Sequence, residues 1–297
     1  MSTRPASLLD QLKSWPLALL PHQLLSRLVR SVTRWQTNSF KNLLIRLFIR
    51  HFKVNMDDAE VSEAEGYRDF NHFFTRALKP AARHFPDEPR AIVSPVDGRV
   101  SQAGDITAGR LMQAKGRDYS LAALLGGDSG HEALFRNGGF ATFYLSPRDY
   151  HRIHMPCPGT LLETTYSPGR LFSVAPHTTR AIPGLITRNE RLVCLFETPA
   201  GPLALIMVGA IFVSCMETVW SGVVNPRMAM SVQKTVFDQT GNQVVQLQRG
   251  EEMGRFNMGS TVILLYGAGM VAWEDSLQAG QPLLLGQTIA HPGALAN

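Results

Sequence analysis

Cysteine is scarce: the chain of 297 residues holds three, Cys157, Cys194 and Cys215. An odd number without metal-type pairing excludes a disulfide framework and a zinc knuckle, and fits a reducing compartment. Long apolar runs are also missing. The longest uncharged one, Leu203 to Val213, contains Gly209 and spans 11 residues, whereas a helix crossing a bilayer needs about 20. Trp15 to Pro21 is apolar and follows Arg4 and Lys13, but its two prolines and the lack of a small-residue cleavage site make it a poor signal peptide. Charged residues make up only 18% against 44% hydrophobic ones, which excludes a disordered chain and supplies material for a large core. No fixed-period repeat and no low-complexity tract interrupts this pattern. What remains is a globular protein of one or two domains.

The charge that is present is unevenly placed. Residues 1–53 carry nine basic side chains and a single acid, Asp10, while the other 244 residues carry 20 basic and 23 acidic ones. A strongly basic arm therefore precedes a slightly acidic body. Wound at 100° per residue, Phe40 to Lys53 places Asn42, Arg46, Arg50 and Lys53 on one side and Phe40, Leu43, Leu44, Leu47, Phe48 and Phe52 over most of the rest. Leu17 to Val32 repeats the theme, with Leu17, Leu24, Leu25 and Leu28 opposite Arg27, Arg30 and Arg34. Basic amphipathic helices of this kind lie in the headgroup layer of a membrane, and each Lys or Arg near an anionic surface contributes roughly 1 kcal/mol. Packing onto the body of the protein is the plainer alternative. Nucleic acid is a third, weakened by the lack of a reading motif and by the width of the apolar faces.

Beyond the arm, Met56 to Arg76 reads as helical, with Asp57 and Asp58 able to cap a first turn. Ala81 to Pro89 is a linker. From Ala91 the texture changes to short β-type runs punctuated by Gly and Pro: Phe140 to Leu145, Leu192 to Phe196, Leu203 to Val213, Gln243 to Leu247 and Thr261 to Tyr266. Tyr119 to Leu125 reads as a short helix. Ser94 to Val100 and Ala279 to Ala290 look like the turn-strand units of barrel-sandwich hybrid domains, although no lysine stands at a carrier-type hairpin tip. The fold class is α+β: an N-terminal amphipathic helical region at 1–80 suited to membrane docking, then a mostly β domain at 81–297 resembling a barrel-sandwich hybrid.

Three short segments could carry chemistry. In Phe256-Asn257-Met258-Gly259-Ser260-Thr261, a serine follows a glycine. Its hydroxyl can attack the preceding carbonyl, because glycine leaves the backbone free and the approach open, and an amide then becomes an ester. Such an attack needs a base and a group that orients the base. Tyr150-His151-Arg152-Ile153-His154 offers two imidazoles, which on a helix would share a face and could hold a metal, and in a loop would diverge. Nothing else has complementary ligand spacing, and no metal is expected. Asp97, in Ser94-Pro95-Val96-Asp97-Gly98, is a candidate orienting acid, though Asp-Gly after Pro is also ordinary turn chemistry.

Taken together, Asp97 in Ser-Pro-Val-Asp-Gly-Arg-Val, Tyr150 to His154, and Met258-Gly259-Ser260-Thr261 resemble the three signature sites of the phosphatidylserine decarboxylase family, pyruvoyl-dependent and of prokaryotic type. Further matching segments run in order over about 65–290: Asn71 to Pro80, Gln113 to Gly116 with Tyr119 to Leu121, Ile182 to Leu185 with Asn189 to Arg191, Val208 to Ala210, and Glu217 to Trp220. Met258 stands where the family usually has Leu, a swap that usually costs under about 1.5 kcal/mol. Ser214-Cys215 departs from an expected glycine-containing stretch, and Cys215 has no evident role beyond packing.

The resemblance implies a self-processing zymogen. Ser260 attacks the Gly259 carbonyl with His154 as base and Asp97 orienting it, the chain splits into a β chain 1–259 and an α chain 260–297, and Ser260 becomes a covalent pyruvoyl group. It further implies decarboxylation of phosphatidylserine to phosphatidylethanolamine through a Schiff base on that group, which acts as the electron sink that no ordinary side chain supplies. His151 is the candidate proton donor or substrate contact. The implied setting is peripheral, at the cytoplasmic side of the cell membrane, with an anionic surface and phosphatidylserine as partners, α and β chains associated, a dimer of αβ units left open, and no nucleic acid. Two other readings compete. One is a carrier-like β domain in which Ser260 is a turn residue, and the other is a pyruvoyl enzyme for a soluble amino acid.

Overall fold

The structure is a computed structural model that describes residues 7–18, 20–114, 117–211, 215–224, 229–241, 243–257 and 260–294. Met258 and Gly259 of the expected cleavage site, and Lys115 and Gly116, lie outside the described residues. Helices α1 (Leu8–Ala18), α2 (His22–Thr33) and α3 (Asn38–Phe52) come first, then a 3-10 turn (Ala64–Gly66) and the short α4 (Phe70–Phe74). Among the strands lie α5 (Leu121–Leu124), α6 (Ser129–Phe135), α7 (Pro176–Ala181) and α8 (Leu185–Arg188). The strands are β1 (Ile92–Val93), β2 (Gly98–Asp105), β3 (Arg110–Ala114), β4 (Arg117–Ser120), β5 (Gly139–Leu145), β6 (Arg152–His154), β7 (Gly159–Ser167), β8 (Arg191–Thr198) and β9 (Gly201–Val208). After them come β10 (Met216–Thr218), β11 (Gly222–Val223), β12 (Gln233–Val236), β13 (Gln246–Leu247), β14 (Glu252–Phe256), β15 (Ser260–Tyr266), β16 (Val271–Trp273), β17 (Pro282–Leu283) and β18 (Thr288–Pro292).

The α+β expectation holds. Helix α3 forms where its periodicity places it, and it buries Ile45, with Phe48, Ile49 and Phe52, against Tyr67, Phe70, Phe73 and Phe74 in a small core of its own. Lys41 is a correction to the basic arm. It is buried, and its ammonium donates to the Ala64 and Glu65 carbonyls at 3.4 and 3.3 Å, which satisfies the 3-10 turn. Leucines on each of the three helices stay uncovered: Leu8, Leu12, Leu24, Leu28, Leu43 and Leu47 are 56–78% exposed. No helix among the described residues is long and apolar enough to cross a membrane.

The expected helix from Met56 to Arg76 shrinks to the 3-10 turn and α4. Tertiary bonds explain the loss. Asp58 pairs with Arg83 at 2.9 Å, the Asp57 carbonyl accepts from Lys79 Nζ at 2.7 Å, and the cap is instead Asp69, whose Oδ1 accepts the His72 N–H at 2.8 Å.

Nine strands form one large antiparallel sheet, in the order β12-β7-β8-β9-β15-β5-β2-β17, with β13 also on β7. Every residue of β15 is buried, as its near-continuous apolar sequence requires for a central strand covered on both faces. Of the run Leu203 to Val213, β9 takes in residues up to Val208, and Phe212 and Val213 lie outside the described residues. At Gly209 the N–H donates to the Glu190 carbonyl at 2.8 Å, an approach so close that a Cβ would come 3.3 Å from that oxygen. The two turn-strand units find each other: β17 pairs with β2 and β18 with β1, and Ser94 exchanges backbone hydrogen bonds with Gln287 and Gly286. The likeness to a barrel stops at this point. Among the described residues the outer strands β12 and β17 do not pair, and the sheet stays open.

Candidate active site

Ser260 is the first residue of β15 and stands opposite Leu145, the last residue of β5. Its neighbour Thr261 faces Val208 at the end of β9, which faces Arg191 at the start of β8. One end of the sheet thus collects Ser260, the Ser146–His151 loop, Gly209 and Glu190. Ser260 is fully buried, and its Oγ has no hydrogen-bond partner among the described residues. Burying a hydroxyl unpaired costs roughly 1–3 kcal/mol, so the position serves something other than stability.

The loop after β5 is built by its own polar groups. Ser146 donates its N–H and its Oγ–H to Asp149 Oδ2, both at 2.7 Å, and Arg76 donates to the Arg148 carbonyl at 3.1 Å. This fixes His151, whose Nδ1–H donates to the Asp149 carbonyl at 2.8 Å and whose ring packs on Phe74 at 4.1 Å. The other nitrogen, Nε2, is buried and unpartnered. Burial, with the Arg76 charge behind it, lowers the His151 pKa to about 3, so the imidazole is neutral at pH 7 with its lone pair on Nε2. The Phe256 N–H donates to the His151 carbonyl at 3.0 Å, so the strand leading to the expected cleavage bond lies directly on this residue.

His154 belongs to β6, paired with β14. Its Nδ1–H donates to the Gly250 carbonyl at 2.7 Å, and Tyr150 donates its hydroxyl to Nε2 at 3.0 Å. Burial lowers its pKa, against opposing pulls from Gly250, Glu252 and Asp97. The two histidines do not converge as a metal pair would: one ring packs on Phe74, while the other lies between Gly250 and Tyr150.

Asp97 approaches His154 through the backbone and the field, not through a bond. The His154 N–H donates to the Pro95 carbonyl at 2.9 Å, and the Asp97 charge favours protonated His154. The Asp97 carboxylate itself is held by a two-pronged contact with Arg83, Nε to Oδ1 at 2.9 Å and Nη2 to Oδ2, and by the Leu285 N–H at 2.8 Å. Arg83 was hidden from sequence reasoning because it sits in what reads as a linker.

Asn257, just ahead of the expected cleavage site, is fully buried. Its Nδ2 donates to Cys215 Sγ at 2.8 Å and Glu217 Oε1 at 2.9 Å, its Oδ1 accepts from Asn71 Nδ2 at 2.8 Å, and Arg34 at the end of α2 reaches Glu217 at 3.7 Å. Cys215 therefore does more than pack. Its neighbour in this network, Glu217, was already visible in a family-like segment. We expect Asn257→Ala to lose roughly 2 to 4 kcal/mol of stability, since it takes a partner from the buried Asn71 and from the half-buried Cys215 and Glu217. Urea unfolding measures the loss, and the fraction of cleaved chain on a denaturing gel should fall with it.

His151 also sets an acid limit. A depressed histidine pKa gives stability that is complete above the unfolded value of 6.5 and is lost as pH falls toward the folded value of about 3. Between pH 7 and pH 5 this one group should cost about 2 kcal/mol. Urea midpoints for the natural chain and His151→Gln should converge as the pH is lowered by that amount.

The chain is similar to known proteins over most of its length. A sequence model of phosphatidylserine decarboxylase matches residues 70–291, and a second, described as PSD, matches residues 12–53. The phosphatidylserine decarboxylase proenzyme of Azotobacter vinelandii strain DJ is 50% identical over 273 residues, covering 92% of this chain and 95% of that protein. That of Pseudomonas aeruginosa strain LESB58 is 49% identical over 274 residues, with 92% and 94% covered. That of Bordetella pertussis strain Tohama I is 48% identical over 287 residues, with 97% and 96% covered. With most of both chains aligned and the signature segments in order, the chain belongs to the phosphatidylserine decarboxylase family of enzymes.

Proposed function

We propose that the chain is a proenzyme that cleaves itself between Gly259 and Ser260 and then converts phosphatidylserine to phosphatidylethanolamine and CO2 in phospholipid biosynthesis. The observation that carries this reading is the fully buried Ser260 Oγ, without a hydrogen-bond partner among the described residues, at the head of a central strand. A serine of this kind fits a pyruvoyl precursor, since the group it would become needs a water-poor, fixed position. When formed, the pyruvoyl group supplies the carbonyl that accepts the substrate amine and takes up the electrons of the breaking C–C bond.

The chain's own residues divide the work. His154, neutral because it is buried, takes the Ser260 hydroxyl proton once the Tyr150 hydroxyl gives up Nε2. Asp97, held in place by Arg83, stabilises the imidazolium that results. The ester between Ser260 and Gly259 then loses the Ser260 α-proton and releases the Gly259 carboxylate as the new end of β chain 1–259, and the dehydroalanine left at the head of α chain 260–297 takes up water and releases ammonia to become the pyruvoyl group. His151 serves the second reaction, delivering the proton that replaces CO2 at the substrate carbon.

The helical region 1–80 brings the catalytic region 81–297 to the cytoplasmic face of an anionic membrane as a peripheral protein. The exposed leucines of α1 to α3, on the segment that also carries Arg27, Arg30 and Arg50, support this role. Parallel assays of CO2 release from phosphatidylserine vesicles and from free serine test the substrate: release from the lipid alone is expected, and equal release from serine would move the protein to soluble amino acids.

A further inference from the structure

The loop 168–172, which follows β7, is latched onto residues 188–190. The Arg170 N–H donates to the Arg188 carbonyl and the Glu190 N–H to the Arg170 carbonyl, each at 2.9 Å, and the backbones are so close that a Cβ on Gly169 would lie 2.6 Å from the Arg188 carbonyl. Asn189, fully buried, completes the latch. Its Oδ1 accepts the Phe172 N–H at 3.0 Å, and its Nδ2 donates to the carbonyls of Phe172 at 2.9 Å and Gly209 at 2.8 Å.

Phe172 is thereby fixed, and two guanidinium groups lie over its ring, Arg188 at 4.8 Å and Arg170 at 5.4 Å from the centroid. Both arginines are exposed, and Arg188 makes no ion pair with a described residue. Two cationic groups over one ring give this corner a basic face of the kind that suits an anion. Beside them a cavity of about 490 Å³ opens under α2, lined by Pro21, Leu24, Arg27, Gly169 and Arg170 among others.

We propose that this corner binds the phosphodiester of an anionic glycerophospholipid in the bilayer. Arg27, Arg170 and Arg188 surround the phosphate, and Leu24 and Leu28, both more than half exposed, enter the acyl layer next to it. The mixture of charge and apolar surface favours a lipid over a free phosphate ester. Arginine is suited to the task, since its planar fork matches phosphate oxygens in pairs. The position has a consequence for the reaction: the same Asn189 that holds Phe172 holds Gly209, which follows Val208, and Val208 pairs with the residue after Ser260. Lipid captured at this corner sits at the Ser260 end of the sheet.

The proposal rests on the membrane-surface reading, and its test separates the two. Full-length cleaved protein is co-sedimented with vesicles of phosphatidylcholine alone and with added phosphatidylglycerol. Relative to the natural chain, Arg170→Ala/Arg188→Ala should bind the anionic vesicles about 30-fold more weakly, since each arginine near such a surface is worth roughly a factor of five. A control that removes the same charge elsewhere, Arg110→Ala/Arg136→Ala, should stay within about twofold, its charges being screened by salt. Superimposable thermal melts check that the variants are folded. If the natural chain sediments with neither vesicle, the membrane reading itself fails. If it binds anionic vesicles and the Arg170/Arg188 variant binds them equally well, the membrane reading stands and this site is wrong. Loss of glycerol phosphate binding in calorimetry, with vesicle binding intact, would assign the corner to soluble phosphate esters and likewise overturn the lipid proposal.

Discussion

Ser260→Ala protein is expected to remain a single chain of 32.8 kDa and to release no CO2 from phosphatidylserine, while the natural chain separates under denaturing conditions into residues 1–259 and 260–297. Misfolding would not account for this result. Alanine fits wherever serine does, and the Oγ it removes is a buried hydroxyl without a described partner, so stability should hold or rise by up to about 1 kcal/mol. The hydroxyl is needed only as the nucleophile. In the natural protein the two pieces should stay together without denaturant, because β15 pairs along its whole length with β5 on one side and from Thr261 to Tyr266 with β9 on the other. Intact mass of the small fragment gives a second readout, since a pyruvoyl start lacks the nitrogen that a serine start keeps. Ser260→Ala protein that cleaved and turned over normally would end the proposed mechanism.

Local pattern made α3, β5, β8 and β15 legible in the sequence, because each carries its own periodicity or an unbroken apolar run within one segment. Met56 to Arg76 was misread for the opposite reason: Asp57 and Asp58 look like capping residues in isolation, but Lys79 and Arg83 engage them from beyond the segment. The same limit applies at the site. Ser260, His151, His154 and Asp97 were found through short signature segments, whereas Arg83 on Asp97 and the bonds of Asn257 with Cys215 and Asn71 join positions 14, 42 and 186 residues apart. No spacing rule marks such pairs. The barrel-like reading of Ser94 to Val100 and Ala279 to Ala290 picked out two segments that the structure pairs, but it could not show whether the outer strands met, since closure depends on accumulated twist and register along every strand between them.

His151→Ala should separate the two reactions. The variant should still split at Gly259–Ser260, yet its decarboxylation rate should fall by about 10² to 10⁴, the usual contribution of a positioned proton carrier. The geometry explains why this residue suits the second step. With Nδ1–H committed to the Asp149 carbonyl, only Nε2 can exchange a proton with a substrate, and its low proton affinity makes it a strong acid once charged. In the proposed reaction Nε2 is the atom from which a proton would be handed to the substrate carbon that loses CO2. Because the neutral form persists to about pH 3, the acid limb of the cleaved enzyme's rate profile should owe nothing to His151 in the ordinary histidine range. His154→Ala gives the contrasting result, an uncleaved chain, because the base for the first step is gone. An uncleaved His151→Ala chain that is folded by its thermal melt would refute the division of roles, and would make His151 Nε2, already without a partner, the better candidate for the base that activates Ser260.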